Sequence, residues 1–211
     1  MSGAAAAEVA AKKKSFIASE RNDQQRQAFR REIAELNVGD FVFVDEMGIN
    51  LDLARVYGRA APGERVVDTK PSTRGENLSV IGALGAEALR ATMSVPGAVD
   101  GDAYLVFIKH ILAPCLHPGN IVLMDNVPTH KMPTIAEALA AVGARVQFLP
   151  PYSPDLSPIE NCWSNVKTFL RSVAARTQKA LEAALRNVLA TITHDDIKGW
   201  FAHCGYGDAL K

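Results

Sequence analysis

Residues 149–161 constrain the fold more than any other stretch, because they contain four prolines next to a strongly periodic segment. Proline fixes its own φ and lacks an N–H group, so such a stretch excludes a helix interior or a central strand. It predicts the end of a strand, then a stiff loop, then the start of a helix. Ser157 is suited to be the N-cap of that helix and Pro158 its first residue.

Apolar residues recur at helical spacing beyond this loop, which predicts a helix over residues 159–175 with one buried face. Glu160 lies off the apolar stripe, in line with Lys167 and Arg171. Two interpretations of Glu160 are open at this point. It either completes a capping box with Ser157, and only satisfies a backbone N–H, or it presents its carboxylate to a neighbouring ligand.

The remaining apolar runs predict a mixed α/β fold. Short runs indicate five strands, at residues 41–44, 78–84, 89–95, 121–124 and 146–149. Helical periodicity predicts further helices at residues 104–112, 134–142, 178–192 and 195–203. The first three strands follow one another without helices and are expected to be antiparallel, whereas the later β-α-β units favour parallel, right-handed crossovers. We therefore predict a mixed five-stranded sheet with helices on both faces.

The first 36 residues differ in composition from the rest of the chain. An Ala-rich beginning is followed by a charged, Gln-rich segment, residues 22–36, with one thin apolar face at helical spacing. We predict a partly disordered or helical arm over residues 1–36 and one domain over residues 37–207.

Composition excludes several classes of protein. With 48% hydrophobic and 22% charged residues the chain has an ordinary globular composition, and no apolar run is long enough to cross a membrane. Its formal net charge is zero, so no overall basic field attracts nucleic acid, although local basic patches remain compatible with this balance. The three cysteines lie far apart and lack zinc-ligand spacing. They predict reduced thiols and a cytoplasmic location.

Two of the buried-type strands are followed directly by an aspartate, Asp45 and Asp125. If these strands are parallel neighbours, both carboxylates emerge at the same edge of the sheet, where the proline loop also delivers Glu160. Carboxylates so close together repel one another unless a cation holds them, and oxygen ligands favour a hard ion such as Mg²⁺. The alternative is that each aspartate only caps the turn that follows its strand.

Two neighbours of these aspartates are left out of the predicted site. Glu46 is expected to alternate to the opposite face of its strand from Asp45. His130 follows Asp125 closely and is able to orient a phosphate or a water, but a loop histidine more often has no chemical role.

The acids lie in three sequence blocks: residues 43–46 (Phe-Val-Asp-Glu), residues 124–126 (Met-Asp-Asn) with His130 and Lys131 after them, and residues 150–160. Together these blocks resemble the signature blocks of DDE transposases, in the bacterial insertion-sequence branch of the mariner superfamily. The 34 residues between Asp125 and Glu160 match the interval between the second and third acids of that branch. Residues 55–60 and 204–207 are also similar to family features.

The resemblance implies an RNase H-like fold in which Asp45, Asp125 and Glu160 bind metal and catalyse the reaction. It implies Mg²⁺ or Mn²⁺, in two ions, for cleavage and strand transfer of double-stranded DNA by a homodimer located at the nucleoid. Family members carry a helix-turn-helix region before the catalytic domain, for which residues 1–36 leave no room. We therefore expect a catalytic domain alone, with the DNA-reading region encoded separately.

Basic side chains are the candidates for contacts with DNA phosphates. They lie on the loop between the first two strands, beside His130 and on the helix that begins with Glu160; the set is Arg55, Arg59, Lys70, Arg74, Lys131, Lys167 and Arg171. The alternative is that these side chains only form a solvated charged surface.

Two other functions remain open from the sequence. One is an RNase H-like nuclease that only hydrolyses DNA. The other is an inactive or truncated transposase remnant that binds DNA or a partner without catalysis.

Overall fold

The five predicted strands pair into one mixed sheet in the computed structural model, which describes residues 18–207. The strands are β1 (Phe41–Ile49), β2 (Leu78–Gly85), β3 (Leu89–Pro96), β4 (Ile121–Met124) and β5 (Arg145–Phe148). Their order across the sheet is β3-β2-β1-β4-β5, in which β1 to β3 are antiparallel while β1, β4 and β5 are parallel. The predicted α/β fold is confirmed.

The helices predicted from periodicity are also present among the described residues. They are α1 (Asp23–Ala34), α2 (Gly101–Val106), α3 (Pro133–Ala140), α4 (Pro158–Val173), α5 (Gln178–Ala190) and α6 (His194–His203). After α2 the chain continues as a π-helix, Phe107–Leu112, where the sequence predicted one uninterrupted α-helix. None of the helices within residues 18–207 is both long and apolar enough to cross a membrane.

Strand β1 is longer than predicted, and the difference matters for the site. Its parallel pairing with β4 ends at Val44 and Met124, but its antiparallel pairing with β2 continues as far as Ile49. The expectation that the strand ends at Asp45 is therefore wrong. Because β2 still satisfies the backbone of β1 on one side, the strand continues where β4 has already ended. Asp45 is the first residue of β1 that pairs with β2 but no longer with β4.

The two faces of β1 belong to two separate cores. Phe43 and Met47 pack in the core that contains α4, α5 and α6. Val42 and Val44 pack in the core that contains α2, the π-helix and α3. Side chains alternate between the faces of a strand, so Asp45 lies on the α4 side and Glu46 on the α2 side.

Helix α4 approaches the sheet closely because β2 contains a glycine beneath it. A Cβ atom at Gly82 would lie 2.5 Å from the ring of Trp163, which is 2% exposed. Only a residue without a side chain allows the indole to come this close to the strand. The contact therefore brings α4 close to the middle of the sheet.

Helix α1 packs on the same core as α4. Phe29 and Ile33 are buried in that core, as the periodicity predicted, and Arg26 is buried beside them. The Ala-rich beginning of the predicted arm lies outside the described residues. The boundary at residue 36 stays a prediction.

Candidate active site

The three predicted acids lie around one cavity of about 520 Å³. Asp45 and Asp125 each follow the last parallel pair of β1 and β4, so they lie next to each other at the same edge of that pairing. Glu160 lies in the first turn of α4. The proline loop, residues 149–154, supplies much of the remaining wall. Three carboxylates from distant parts of the sequence therefore face one space.

The loop reaches α4 through a series of backbone hydrogen bonds. The N–H of Leu149 donates to the carbonyl of Met124 at 2.9 Å, which extends the β4–β5 pairing by one residue. Tyr152 then adopts a left-handed conformation, with φ of +53°, and its side chain is exposed at the cavity. A 3₁₀ turn, Pro154–Leu156, leads into Ser157 and the helix start at Pro158, as predicted.

The capping-box interpretation of Glu160 is wrong. The N–H of Ser157 donates to the carbonyl of Pro154 at 3.0 Å, so it is already satisfied without Glu160. The Ser157 side chain also makes no capping hydrogen bond to the helix. Ser157 is the N-cap by position alone, and the prolines on both sides fix the helix start instead. The Glu160 carboxylate is left to face the cavity.

Asp45 has the most perturbed acidity of the three carboxyls. Burial raises its pKa to about 7, and the negative charge of Glu160 adds to this rise, with a smaller contribution from Asp125. A carboxyl that is held close to half protonated at neutral pH is typical of carboxylates crowded into one site. A cation between them would remove this repulsion.

The other two carboxyls are shifted in opposite directions. Burial raises the pKa of Glu160, although Lys167 on the same helix lowers it in part. Burial also acts to raise the pKa of Asp125, but contact with His130 outweighs it and the pKa falls below its usual value. Asp125 is therefore ionised at neutral pH while Asp45 is partly protonated.

His130, which was left out of the predicted site, contacts one of its three acids, Asp125. The residue is only 5% exposed, and its ring stacks on Tyr104 with centroids 4.2 Å apart. Its Nδ1 lies 2.5 Å from Oδ1 of Asp125 and its Nε2 lies 3.3 Å from Oε1 of Glu46. Burial acts to lower the pKa of His130, but the two carboxylates raise it to about 9. At neutral pH it is a cation between two anions.

Glu46, also left out of the predicted site, has the orientation predicted from strand alternation, but it contacts His130. Glu46 does lie on the α2 side of β1, opposite Asp45. The buried imidazole of His130 joins it to Asp125 around the end of β4. Strand alternation alone does not reveal such a link, because it depends on where the loop after Asp125 places His130. The only signal in the sequence was the short interval between Asp125 and His130.

None of the seven predicted DNA-contacting residues lines the cavity. Arg55 and Arg59 are exposed on the loop between β1 and β2. On that loop, Lys70 and Arg74 lie 3.9 and 3.4 Å from Asp52, so their charges are partly balanced within the protein.

The other three basic residues follow Asp125 or Glu160 in the sequence. The Lys131 ammonium lies over the Phe148 ring, 5.9 Å from its centroid. Lys167 is half-buried and acts on the Glu160 carboxyl, while Arg171 is in the last turn of α4. The role of all seven in binding DNA stays a prediction.

The donor set of the cavity fits a hard divalent cation. All three candidate ligands are carboxylates, and oxygen donors are those that Mg²⁺ and Mn²⁺ prefer. Burial is the main cause of the raised pKa values of Asp45 and Glu160, and the neighbouring carboxylates add repulsion that a cation would relieve. Among residues 18–207, however, no three Asp, Glu, His or Cys side chains already converge on a common metal position. The chemistry of the ligands, not their present spacing, supports metal binding.

A family model described as DDE superfamily endonuclease matches residues 40–182. No curated protein matches the chain at a significant level. The fold is similar to the Mos1 transposase paired-end complex with left transposon end, at 17% identity and a TM-score of 0.76 over 97% of this chain and 65% of the other. The Mos1 mariner paired-end complex with Mn is 17% identical, with a TM-score of 0.71 over 95% of this chain and 64% of the other. The catalytic domain of Mos1 mariner transposase is 14% identical, with a TM-score of 0.62 over 92% of this chain and 94% of the other.

The chain thus spans less than two thirds of the longer Mos1 chains, and nearly all of the catalytic-domain chain. At these identities the similarity shows the fold, and it confirms the predicted RNase H-like arrangement. The family match covers every strand of the sheet and the helix that carries Glu160. The chain belongs to the family of DDE superfamily endonucleases.

Proposed function

We propose that this chain is the catalytic domain of a transposase that cleaves and joins DNA strands with divalent metal ions. The observation that carries the proposal is the position of Asp45, Asp125 and Glu160 around one cavity, at the edge where the parallel pairing of β1 and β4 ends. Membership of the DDE family and the likeness to Mos1 transposase structures containing Mn or Mg support it.

In this proposal Asp45, Asp125 and Glu160 would together hold two ions. Bound there, the ions would lower the pKa of the attacking water or 3′-hydroxyl and stabilise the leaving oxygen. His130 keeps Asp125 ionised and oriented, since its imidazolium contacts that carboxylate and is itself held by Glu46.

Replacing His130 by alanine is expected to lower DNA cleavage by about tenfold or more, because second partners of metal ligands typically contribute 10–100-fold. The Mn²⁺ concentration for half-maximal cleavage should rise as well, since Asp125 loses its cationic partner. Plasmid nicking at a series of Mn²⁺ concentrations measures both effects. His110→Ala, at an exposed histidine of the π-helix, is the matched control. Equal metal dependence in the two variants would exclude a role for His130 in orienting Asp125.

Double-stranded DNA is the proposed partner, as in the Mos1 paired-end complexes. Arg55 and Arg59 on the exposed loop, and Lys167 and Arg171 on α4, are proposed to contact phosphates. Lys131 is a weaker candidate because its ammonium already lies over an aromatic ring, and the partners of Lys70 and Arg74 must be displaced first.

We also propose a homodimer as the active form, with sequence-specific recognition supplied by a helix-turn-helix region outside the catalytic domain. Such a protein would act in the cytoplasm, at the nucleoid. Neutral net charge is consistent with weak DNA binding by this chain alone.

The test is an assay that follows hydrolysis and joining together. Supercoiled plasmid is incubated with the protein, Mn²⁺ or Mg²⁺ and a labelled oligonucleotide with a free 3′-hydroxyl end. We expect metal-dependent nicking and transfer of label into the plasmid, both absent in Asp125→Asn. Nicking without label transfer would instead indicate a purely hydrolytic nuclease. Neither product, from a folded wild-type protein, would indicate a non-catalytic remnant.

A further inference from the structure

The turn immediately before α4 is held by a partly buried ion pair from α1. The guanidinium of Arg26 donates two hydrogen bonds to the Asp155 carboxylate, from Nη1 to Oδ1 at 2.9 Å and from Nη2 to Oδ2 at 2.5 Å. The Arg26 side chain is only 4% exposed, whereas that of Asp155 is 51% exposed. This pair of parallel hydrogen bonds, called the fork below, fixes the direction as well as the distance between its partners.

A second contact holds the same turn from the end of the described chain. The hydroxyl of Tyr206 donates to the carbonyl of Leu156 at 2.7 Å. Tyr206 is 5% exposed, and its ring packs against Phe41 and Phe43 of β1. The turn is therefore tied to α1 on one side and to the central strand on the other.

The position of this turn determines where Glu160 lies. The N–H of Ser157 donates to Pro154 at 3.0 Å, and the N–H of Glu160 donates to Ser157 at 3.1 Å. The backbone from the turn to Glu160 is thus one continuous hydrogen-bonded unit. Since Ser157 supplies no side-chain cap, the start of α4 depends on how the turn itself is held.

Fold stability alone is a poor explanation for the Arg26–Asp155 pair. Burying a guanidinium carries a desolvation cost, and apolar side chains of similar volume often stabilise a protein equally well. The neighbours of Arg26 on α1, Phe29 and Ile33, are apolar and already anchor the helix in the core. The fork adds orientation of the Asp155 turn, which those contacts do not supply.

We propose that Arg26 and Tyr206 are positioning residues for the active site, which act by holding the Pro154–Leu156 turn so that Glu160 faces Asp45 and Asp125. Both lie outside residues 40–182, the segment matched by the family model. Helix α1 and the segment after α6 are then components of the catalytic apparatus. The inference rests on the proposed function only in taking Glu160 as a metal ligand.

The test compares Arg26→Met, which keeps the packing volume, with Arg26→Lys, which keeps the charge but loses the fork. Arg31→Met, at an exposed position of α1, is the matched control. Amide hydrogen exchange without metal or DNA is expected to be about tenfold faster over residues 155–161 in Arg26→Met, and unchanged in β1 and β4. Arg26→Lys should fall between this variant and the wild type, and Arg31→Met should match the wild type. Asp155 itself is kept, because removing it would leave Arg26 buried without a partner.

Plasmid nicking over a range of Mn²⁺ concentrations then shows whether the turn positions Glu160. The half-maximal concentration is expected to rise about tenfold in Arg26→Met, and less in Tyr206→Phe, which loses one hydrogen bond but keeps the ring. Unchanged exchange in Arg26→Met, faster exchange throughout the sheet, or an unchanged Mn²⁺ requirement in an actively nicking protein would each overturn the inference. A wild-type protein that does not nick would contradict the proposed function, while the exchange data still decide whether Arg26 holds the turn.

Discussion

Glu160→Gln is expected to lower Mg²⁺-dependent plasmid nicking by about two to three orders of magnitude, the scale of losing one electrostatic contact to the reacting group. The change replaces a carboxylate oxygen with an amide nitrogen that does not coordinate the ion, and it removes a negative charge that balances the metal. Its effect on folding should be small, because Glu160 makes no capping contact at the start of α4.

A thermal melt beside the nicking assay separates the catalytic effect from a structural one. The melting temperature of Glu160→Gln is expected to lie within about 3 °C of the wild type, or above it, since one carboxylate of a crowded group has been removed. Glu137→Gln, at an exposed position of α3, is the matched control and should retain full nicking. Full cleavage by a folded Glu160→Gln protein would show that the site has no third acidic ligand at this position.

Periodicity predicted most of the fold because the chain buries its elements in the standard ways. The strands β2 and β4 are buried along their whole length, and α4 has a clear apolar stripe, so both patterns appear directly in the sequence. The sequence pattern did not predict the extra length of β1, because that length depends on a neighbouring strand. Residues 47–49 stay in the sheet because β2 continues beside them. The hydrophobic pattern of one strand does not predict a strand end that is set by its pairing.

The acids of the site were predictable from their positions, whereas their supporting residues were not. Asp45 and Asp125 each follow an apolar run and Glu160 follows a helix start, which are local features of the sequence. The His130 bridge to Glu46 joins residues 84 apart, and the Arg26 fork to Asp155 joins residues 129 apart. Such contacts depend on tertiary placement of side chains that, read alone, have an ordinary surface interpretation.

The pairing of basic residues with acids also had no signature in the sequence. Asp52 lies close to both Lys70 and Arg74, across the loop between β1 and β2. Arg176 donates to the carbonyls of Leu51 and Leu53 and so fixes the start of that loop. A basic residue of such a loop is therefore as able to hold the loop as to contact DNA. Arg55 and Arg59, which are exposed, are the better candidates on this loop for contacts with phosphate.

Asp45→Asn is expected to abolish metal-dependent cleavage and, in the same protein, to stabilise the metal-free fold at alkaline pH. The second effect follows from the raised pKa of Asp45, about 7 in the folded protein against 3.8 for the ordinary carboxyl. Because the folded state binds the proton more tightly, the contribution of Asp45 to stability is fully present below pH 3.8 and is lost as the pH rises through 7. Asparagine carries no charge at any pH and avoids this loss.

The measurement is the melting temperature of both proteins from pH 5 to pH 8, without metal. His130, with its pKa raised to about 9, loses its stabilising contribution over a higher range, but it does so in both proteins. The difference between the two melting curves therefore isolates Asp45. At pH 8 the variant is expected to melt about 5 °C or more above the wild type, the scale of ~2–4 kcal/mol in a chain of this size. Asp68→Asn, on the exposed loop, should show no such difference.

Adding Mg²⁺ at pH 8 should reverse the order of the two proteins. An ion bound by three carboxylates favours their ionised forms, so it stabilises the wild type in proportion to its binding and has little effect on Asp45→Asn. The same site would then destabilise the fold without metal and stabilise it with metal. This behaviour is expected of crowded carboxylates, which repel one another until a cation binds between them. A wild-type melting temperature that neither falls between pH 5 and pH 8 nor rises with Mg²⁺ would contradict the assignment of Asp45 to a crowded metal site.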